Sequence, residues 1–279
     1  MPLTRAQGCT LVLHIEGITV KSDQDSGLNL VVKNLGVSYI RKNSNTSVIE
    51  NLSFDVNPGE VVAICGLSGI GKSTLVRTIA GLVRPSQGEV LIDSQVINGP
   101  IESLGFVTQD YSRSLFPWLT VEKNIALPFK GKDISASERK SRVQAAIEEV
   151  GLTESARLFP WQLSGGMQQR VAIARALVMK PKFLILDEPF ASVDVYVRLD
   201  LEDLVSNLVH SHGTTTLLVT HDVDEAIYMA DRVLVLSGSP AQLSLDLSVN
   251  LKRPRVQMQT RSDATFLTLR DQLHASIRS

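Results

Sequence analysis

The stretch Gly66-Leu67-Ser68-Gly69-Ile70-Gly71-Lys72-Ser73-Thr74 leaves few folds open to this chain. It matches the phosphate-loop pattern G-x-x-x-x-G-K-[ST] through Gly66, Gly71, Lys72 and Ser73. Before it, Val61–Cys65 is a short apolar, partly β-branched run that reads as a buried strand. After it, Leu75, Val76, Ile79 and Leu82 fall at helical spacing. Glycines on a strand-to-helix turn let backbone N–H groups and the positive end of a helix converge on an anion. Gly66, Ser68, Gly69, Gly71 and Thr74 then belong to a polyphosphate cradle. Lys72 can neutralise terminal phosphates, and the Ser73 hydroxyl can help hold Mg²⁺. The competing reading is a glycine-rich turn with an incidental lysine, and the flanking strand and helix weigh against it.

The 279 residues suffice for one large α/β domain or a domain with an inserted subdomain. A formal net charge of −1 lacks the basic excess expected of a nucleic-acid binder. Cys9 and Cys65 are the only cysteines, which implies no disulfide framework and a reducing compartment. No apolar run approaches bilayer length, and Thr10–Leu13 is too short for a signal-peptide core. The expectation is a cytoplasmic chain, free to lean on a membrane through a partner.

Residues 1–27 show no period and receive no role. Strand alternation occupies Leu28–Val32, Leu35–Tyr39 and Val48–Val56, three short strands expected to form an antiparallel layer beside a parallel core. Asn57-Pro58-Gly59-Glu60 then makes a turn. Tyr39 is either an ordinary strand aromatic or a platform for a nucleotide base. Gly88–Ile92 and Leu104–Val107 read as further strands, the second ending at Thr108-Gln109. A glutamine there sits where α/β sheets present ligand-contacting groups, although a surface loop glutamine is the commoner case.

From Asp110 to about Leu163 the pattern turns helical. Ser135-Ala136-Ser137-Glu138 is a capping box for a helix with Val143, Ile147 and Val150 on one face and Gly151 at its stop. Phe116, Trp118 and Phe129 are either core fillers or a patch for another protein. Leu163-Ser164-Gly165-Gly166-Met167-Gln168-Gln169-Arg170 follows, with Ser164 as N-cap and two glycines opening a helix. This second anion-binding terminus is either an ordinary helix start or the completion of a site on another copy of the chain.

Phe183–Leu186 is a continuous apolar strand that delivers Asp187 and Glu188 at its carboxyl end. Two carboxylates are poor core residues. Asp187 can bind Mg²⁺, and Glu188 can polarise a water for attack on a γ-phosphate. Asp194 can cap the next helix. Thr214–Val219 brings His221 to the same sheet edge, and Asp222 with Glu225 forms another capping box. Val233–Leu236 is the last clear strand, and Phe266, Leu269, Leu273 and Ile277 outline an amphipathic helix in the tail.

Together these residues resemble the ATP-binding subunits of ATP-binding-cassette (ABC) transporters, over about residues 28–240. Gly66–Thr74 is similar to the Walker A loop, Gln109 to the Q-loop glutamine, and Leu163–Arg170 to the signature motif. Phe183–Glu188 resembles Walker B, Asp194 the D-loop aspartate, His221 the switch histidine, and Tyr39 the adenine-stacking aromatic. The family's D-loop has Ala-Leu where this chain has Ser192-Val193. The resemblance implies a phosphate-loop NTPase core with a mostly parallel sheet, an N-terminal antiparallel layer and a helical subdomain at about 110–165. A tail over 241–279 would pack on the domain.

It further implies ATP with Mg²⁺ as cofactor, with Ser73, Gln109 and Asp187 on the metal. Lys72, Gln109, Glu188 and His221 would be catalytic. Two copies would close head to tail, so that Ser164, Gly165, Gly166 and Asp194 complete the neighbour's ATP site. Membrane permease subunits would be direct partners, with a solute-binding protein acting indirectly, and the chain would sit peripherally on the cytoplasmic face of the membrane. Phe116–Phe129, Glu188-Pro189-Phe190, His221–Ala226 and Arg253-Pro254-Arg255 resemble cassettes of nitrate, sulfonate and taurine importers. Two alternatives are a non-transport cassette acting on nucleic acid or ribosomes and a small-molecule phosphotransferase. The first usually carries two cassettes or a long coiled coil, which this chain lacks, and the second lacks the signature octapeptide.

Overall fold

The computed structural model describes residues 27–41, 44–101, 103–191 and 193–278. The extension before Gly27, including Cys9, and Ser192 lie outside the described residues.

β1 (Leu30–Arg41) and β2 (Ser44–Val56) form an antiparallel hairpin, and β3 (Val61–Gly66) leads into α1 (Lys72–Ile79). β4 (Gln87–Ile92) and β5 (Gln95–Val96) extend the hairpin into a four-stranded antiparallel sheet. After β6 (Leu104–Val107) come α2 (Tyr111–Ser114), α3 (Val121–Ile125) and α4 (Ala136–Glu149). Next, α5 (Gly165–Leu177) returns the chain to β7 (Phe183–Asp187). Then follow α6 (Val195–Ser211), β8 (Thr215–Val219), α7 (Val223–Met229), β9 (Arg232–Ser237) and β10 (Gln242–Ser248). α8 (Gln257–Arg261) and α9 (Ala264–Arg278) close the described chain.

The second sheet has the order β10-β9-β3-β8-β7-β6 and is parallel except at β10. β3, β7 and β8 are buried along their whole length, as a parallel sheet covered on both faces requires. Alternate side chains serve two cores. Ala63, Cys65, Leu184, Leu186 and Leu218 face α5, α6, α7 and α9. Val62, Ile64, Ile185, Leu217 and Val219 face α1 and the antiparallel sheet. Burying each such Val, Leu or Ile contributes about 1.5–3 kcal/mol, so this sheet fixes the edge on which the site is built.

Several sequence expectations are corrected. Leu28–Val32 and Leu35–Tyr39 do not make two strands but belong largely to the single strand β1, which changes register between Lys33 and Gly36. The irregularity at Asn34 (φ 46°) lets Val32 and Leu35, three apart, both face inward, so strict alternation breaks. Phe129 is buried in the core, which resolves the choice left open for it, while Phe116 and Trp118 remain exposed. Leu82 lies past the left-handed turn at Gly81 and is exposed, not part of the α1 core face. Val233–Leu236 is followed by one more strand, β10, whose outer edge alternates exposed and half-buried residues. A forked ion pair from Arg232 to Asp246, at 2.6 and 2.7 Å, pins it.

Both predicted capping boxes are half formed. The Ser135 hydroxyl accepts the Glu138 N–H at 3.1 Å, but the Glu138 carboxylate turns outward to Arg142. Asp222 accepts the N–H groups of Asp224 and Glu225, whereas its own N–H goes to Thr220 Oγ1. The tail helix α9 buries Phe266, Leu269 and Leu273 against the domain.

Candidate active site

Four adjacent strands of the second sheet end on one edge: β3 at Gly66, β8 ahead of His221, β7 at Asp187 and β6 ahead of Gln109. The crevice outside the carboxyl ends of parallel strands is where such sheets bind ligands.

Beyond β3 the backbone of Gly66 and Gly71 carries φ of 155° and 115°. A Cβ on Gly66 would come within 2.7 Å of Leu236 O, and one on Gly71 within 2.8 Å of Val48 Cγ1. Gly71 is the N-cap of α1, and no side chain caps the helix there. The first-turn N–H groups are therefore available to an anion. Lys72 Nζ donates to Gly66 O at 2.8 Å and Leu67 O at 3.1 Å. Burial lowers its pKa, while Glu188, Cys65 and Asp187 act to raise it. The ammonium is thus gripped by its own loop, in place to exchange two carbonyls for phosphate oxygens. Cys65 below it is fully buried and free, and burial pushes its thiol up to about 12, so it is an inert filler.

Ser73 Oγ donates to Asp187 Oδ1 at 3.4 Å across the gap between α1 and β7. Burial raises the Asp187 carboxyl above its ordinary range, against the Ser73 bond, which lowers it. A buried carboxylate beside a hydroxyl suits a cation. Among the described residues no group of three or more His, Cys, Asp and Glu side chains forms a metal cage. That sparse donor set fits Mg²⁺, which keeps waters and substrate phosphates among its ligands.

Glu188 sits one residue on, at φ 47°, with its N–H held by Val219 O at 2.9 Å. Its Oε2 accepts Gln109 Nε2 at 3.0 Å and faces His221 Nδ1 at 3.3 Å. Three strand ends therefore converge on one carboxylate oxygen. Gln109, expected on the metal, is bonded here to Glu188. Tyr39 is 39% exposed and pairs with Thr46, two residues from the Val48 that lies on Gly71. The β1–β2 hairpin thus flanks the loop.

Ser164, Gly165 and Gly166 are elsewhere. Ser164 Oγ caps α5 by accepting Met167 N–H at 3.3 Å, and Gly166 packs against Val197 of α6. Asp194 caps α6 through the Val197 N–H at 3.1 Å. The packing partners of α5 include α2, α3, α4, β6 and α6, whereas α1 packs on β3 and β7. The two glycine-containing helix starts belong to different parts of one chain.

Sequence reasoning missed two connecting side chains. Gln169, fully buried on α5, donates Nε2 to Pro189 O, joining the signature helix to the turn after Glu188. Arg198 Nη1 pairs with Asp222 Oδ2 at 3.1 Å, joining the start of α6 to that of α7. A glutamine on the apolar face of a helix was the available signal for the first.

This fold and edge define a phosphate-loop ATPase. The profile described as ABC transporter matches residues 49–191. An aliphatic sulfonates import ATP-binding protein of Xanthomonas axonopodis pv. citri is 42% identical over 233 residues, 83% of this chain and 91% of that protein. A nitrate transport protein of Klebsiella oxytoca is 42% identical, covering 81% of this chain and 87% of its own length. Among solved structures, cbiO1 from Clostridium perfringens, part of an ABC transporter complex, superposes with a TM-score of 0.72 at 30% identity. That match covers 81% of this chain and 90% of that one. A dimeric bacterial ABC transporter cassette gives 0.70 at 31% identity, covering 80% of this chain and all of that one. The chain belongs to the ABC transporter family and is its ATP-binding, ATP-hydrolysing subunit.

Proposed function

We propose that this protein energises import of a small solute through partner permease subunits, by closing two copies head to tail on ATP. The observation that carries the reading is the separation, within one chain, of the phosphate loop from the Ser164–Gly166 helix start. Each copy holds two unlike halves of a phosphate-binding site, and a head-to-tail pair completes both. Lys72, Ser73 and the loop N–H groups grip the triphosphate of one copy while Ser164, Gly165, Gly166 and Asp194 approach from the other. Tyr39 stacks on the adenine.

Mg²⁺ would be held by Ser73 and Asp187, with Gln109 able to turn toward it, and would supply charge neutralisation on the phosphate oxygens. Glu188 then takes a proton from the attacking water, and His221 holds the γ-phosphate while steadying the Glu188 carboxylate. Gln109 senses the result because its amide is bonded to Glu188.

Among the described residues no helix is long and apolar enough to cross a membrane, so a peripheral place on the cytoplasmic face requires a membrane partner. Phe116 and Trp118, edge to face at 5.3 Å and exposed on the helical subdomain, supply an apolar docking point. Relatives named for sulfonate, nitrate and bicarbonate transport support a small oxyanion or sulfonate as cargo, delivered by a solute-binding protein to the permease. The test is uptake of labelled nitrate, taurine, an alkanesulfonate and bicarbonate with and without the gene. It is paired with recovery of the tagged chain from membranes. Loss of one uptake and recovery with a polytopic protein are expected. Unchanged uptake with recovery on ribosomes or nucleic acid would overturn the reading.

A further inference from the structure

We propose that Arg255, in the tail segment after β10, is a positioning residue for hydrolysis that sets where His221 stands by fastening the far end of α7. The inference rests on the reading of His221 given above and extends it to the tail.

α7 is only seven residues long, and its first residue is two beyond His221. At about 1.5 Å per residue it is a rod of roughly 10 Å, too short to bend. A shift at one end therefore arrives at the other. At the near end Asp222 caps the helix and pairs with Arg198. At the far end the Arg255 guanidinium, 2% exposed, donates Nη1 to the carbonyls of Ile227, Tyr228 and Ala230 at 3.0, 2.8 and 2.7 Å. These belong to the C-terminal turn and the residue that leaves it, where orphan carbonyls and the negative end of the dipole favour a cation.

Neighbouring tail residues repeat the attachment. Arg253 Nη2 donates to Met229 O at 3.1 Å and to Asp231 at 2.7 Å. Tyr228 on α7 donates its hydroxyl to Asp203 of α6, 2.5 Å away, and lies 3.1 Å from Arg255 O. Arg261 pairs with Glu202 of α6 at 2.6 Å and reaches Asp224 of α7 at 3.7 Å. The nearest carboxylate to Arg255, on Asp231, is 4.0 Å away, so its principal partners are helix carbonyls rather than an acid. Burial, with Arg253 beside it, lowers its pKa to about 10, which keeps the charge at neutral pH. A buried arginine aimed at the end of the helix that begins beside the switch histidine sets the axial position of that helix. Through it, the tail sets the 3.3 Å approach of His221 Nδ1 to Glu188 Oε2.

The experiment measures kcat and KM for ATP in Arg255→Met, which keeps an apolar stem, and in Arg255→Lys, with His221→Ala as reference. Nucleotide affinity and the thermal midpoint are read on the same samples. A displacement below 1 Å at the site should lower kcat by about tenfold in Arg255→Met while KM stays within about twofold. Arg255→Lys should fall between that variant and the parent, and it carries the same test if Arg255→Met does not fold. Unchanged kcat in Arg255→Met beside an inactive His221→Ala would overturn the proposal alone, as would equal losses in kcat and nucleotide affinity. Near-normal turnover of His221→Ala would overturn the reading of His221 and this proposal with it.

Discussion

Lys72 shows how a single side chain can be prepared for a ligand. Its ammonium is desolvated, yet it is satisfied by two carbonyls of the loop that would surround a triphosphate. Replacing it with alanine removes the charge proposed to meet the transferring phosphoryl group. Lys72→Ala should therefore lower phosphate release by about 10²–10³-fold or more, and near-normal turnover would refute the phosphate-loop assignment. Glu225 makes the opposite kind of statement. It is buried on α7, and burial, then Glu202 and Asp222, raise its carboxyl well above the ordinary value, against a bond to Thr220 and the charge of Arg198. A carboxyl that holds its proton more tightly folded than unfolded loses stability as pH rises from the ordinary carboxylate range to the raised value. Glu225→Gln should thus raise Tm at pH 8, by about 2–4 °C for each kcal/mol recovered, with little change at pH 4. An unchanged or lower Tm at pH 8 would contradict a raised Glu225 carboxyl. Lys72, Asp187 and Glu188 were legible in the sequence because their chemistry lies within contiguous runs. The buried settings of Gln169 and Glu225 were not, since Pro189 and Glu202, which give them meaning, come from other elements.

At the scale of elements, the loop from Phe116 to Thr120 is held open by one buried side chain. Asn124 on α3 donates to the carbonyls of Phe116, Leu119 and Thr120 and accepts the Phe116 N–H at 2.9 Å. The apolar loop is thereby pinned from below, with Trp118 left 69% exposed at its crest. Trp118→Ala should abolish co-purification with the permease while the isolated chain binds ATP with unchanged Kd; retained co-purification would remove this loop from the docking surface. The pattern of apolar residues signalled the helices here, but not which aromatic faced inward: Phe129 was settled only by packing. β3, β7 and β8 were readable as contiguous runs of apolar and β-branched residues. The irregular register at Asn34 concealed the continuity of β1, and β10 was passed over although Leu243, Leu245 and Leu247 alternate in the sequence. Edge strands with one wet face carry a weaker apolar signal than buried ones.

For the molecule as a whole, the division of labour between α1 and α5 decides the account. The sheet gathers Lys72, Asp187, Glu188, Gln109 and His221 on one edge. The packing of α5 on the helical subdomain and α6 keeps Ser164 and Gly166 with Asp194 instead. The presence of two glycine-containing helix starts could be read from the sequence alone. That they stand apart in one copy required the fold, because helix packing rather than local sequence sets their separation. Glu188→Gln should bind ATP without hydrolysing it and so hold the closed pair. The decisive measurement is its molar mass in solution with Mg²⁺ and ATP, with and without Ser164→Arg in the same chain. The mass of two chains for Glu188→Gln, returning to one chain when Ser164→Arg is added, is predicted. One chain for Glu188→Gln alone, or two chains for both, would contradict an ATP site shared between copies.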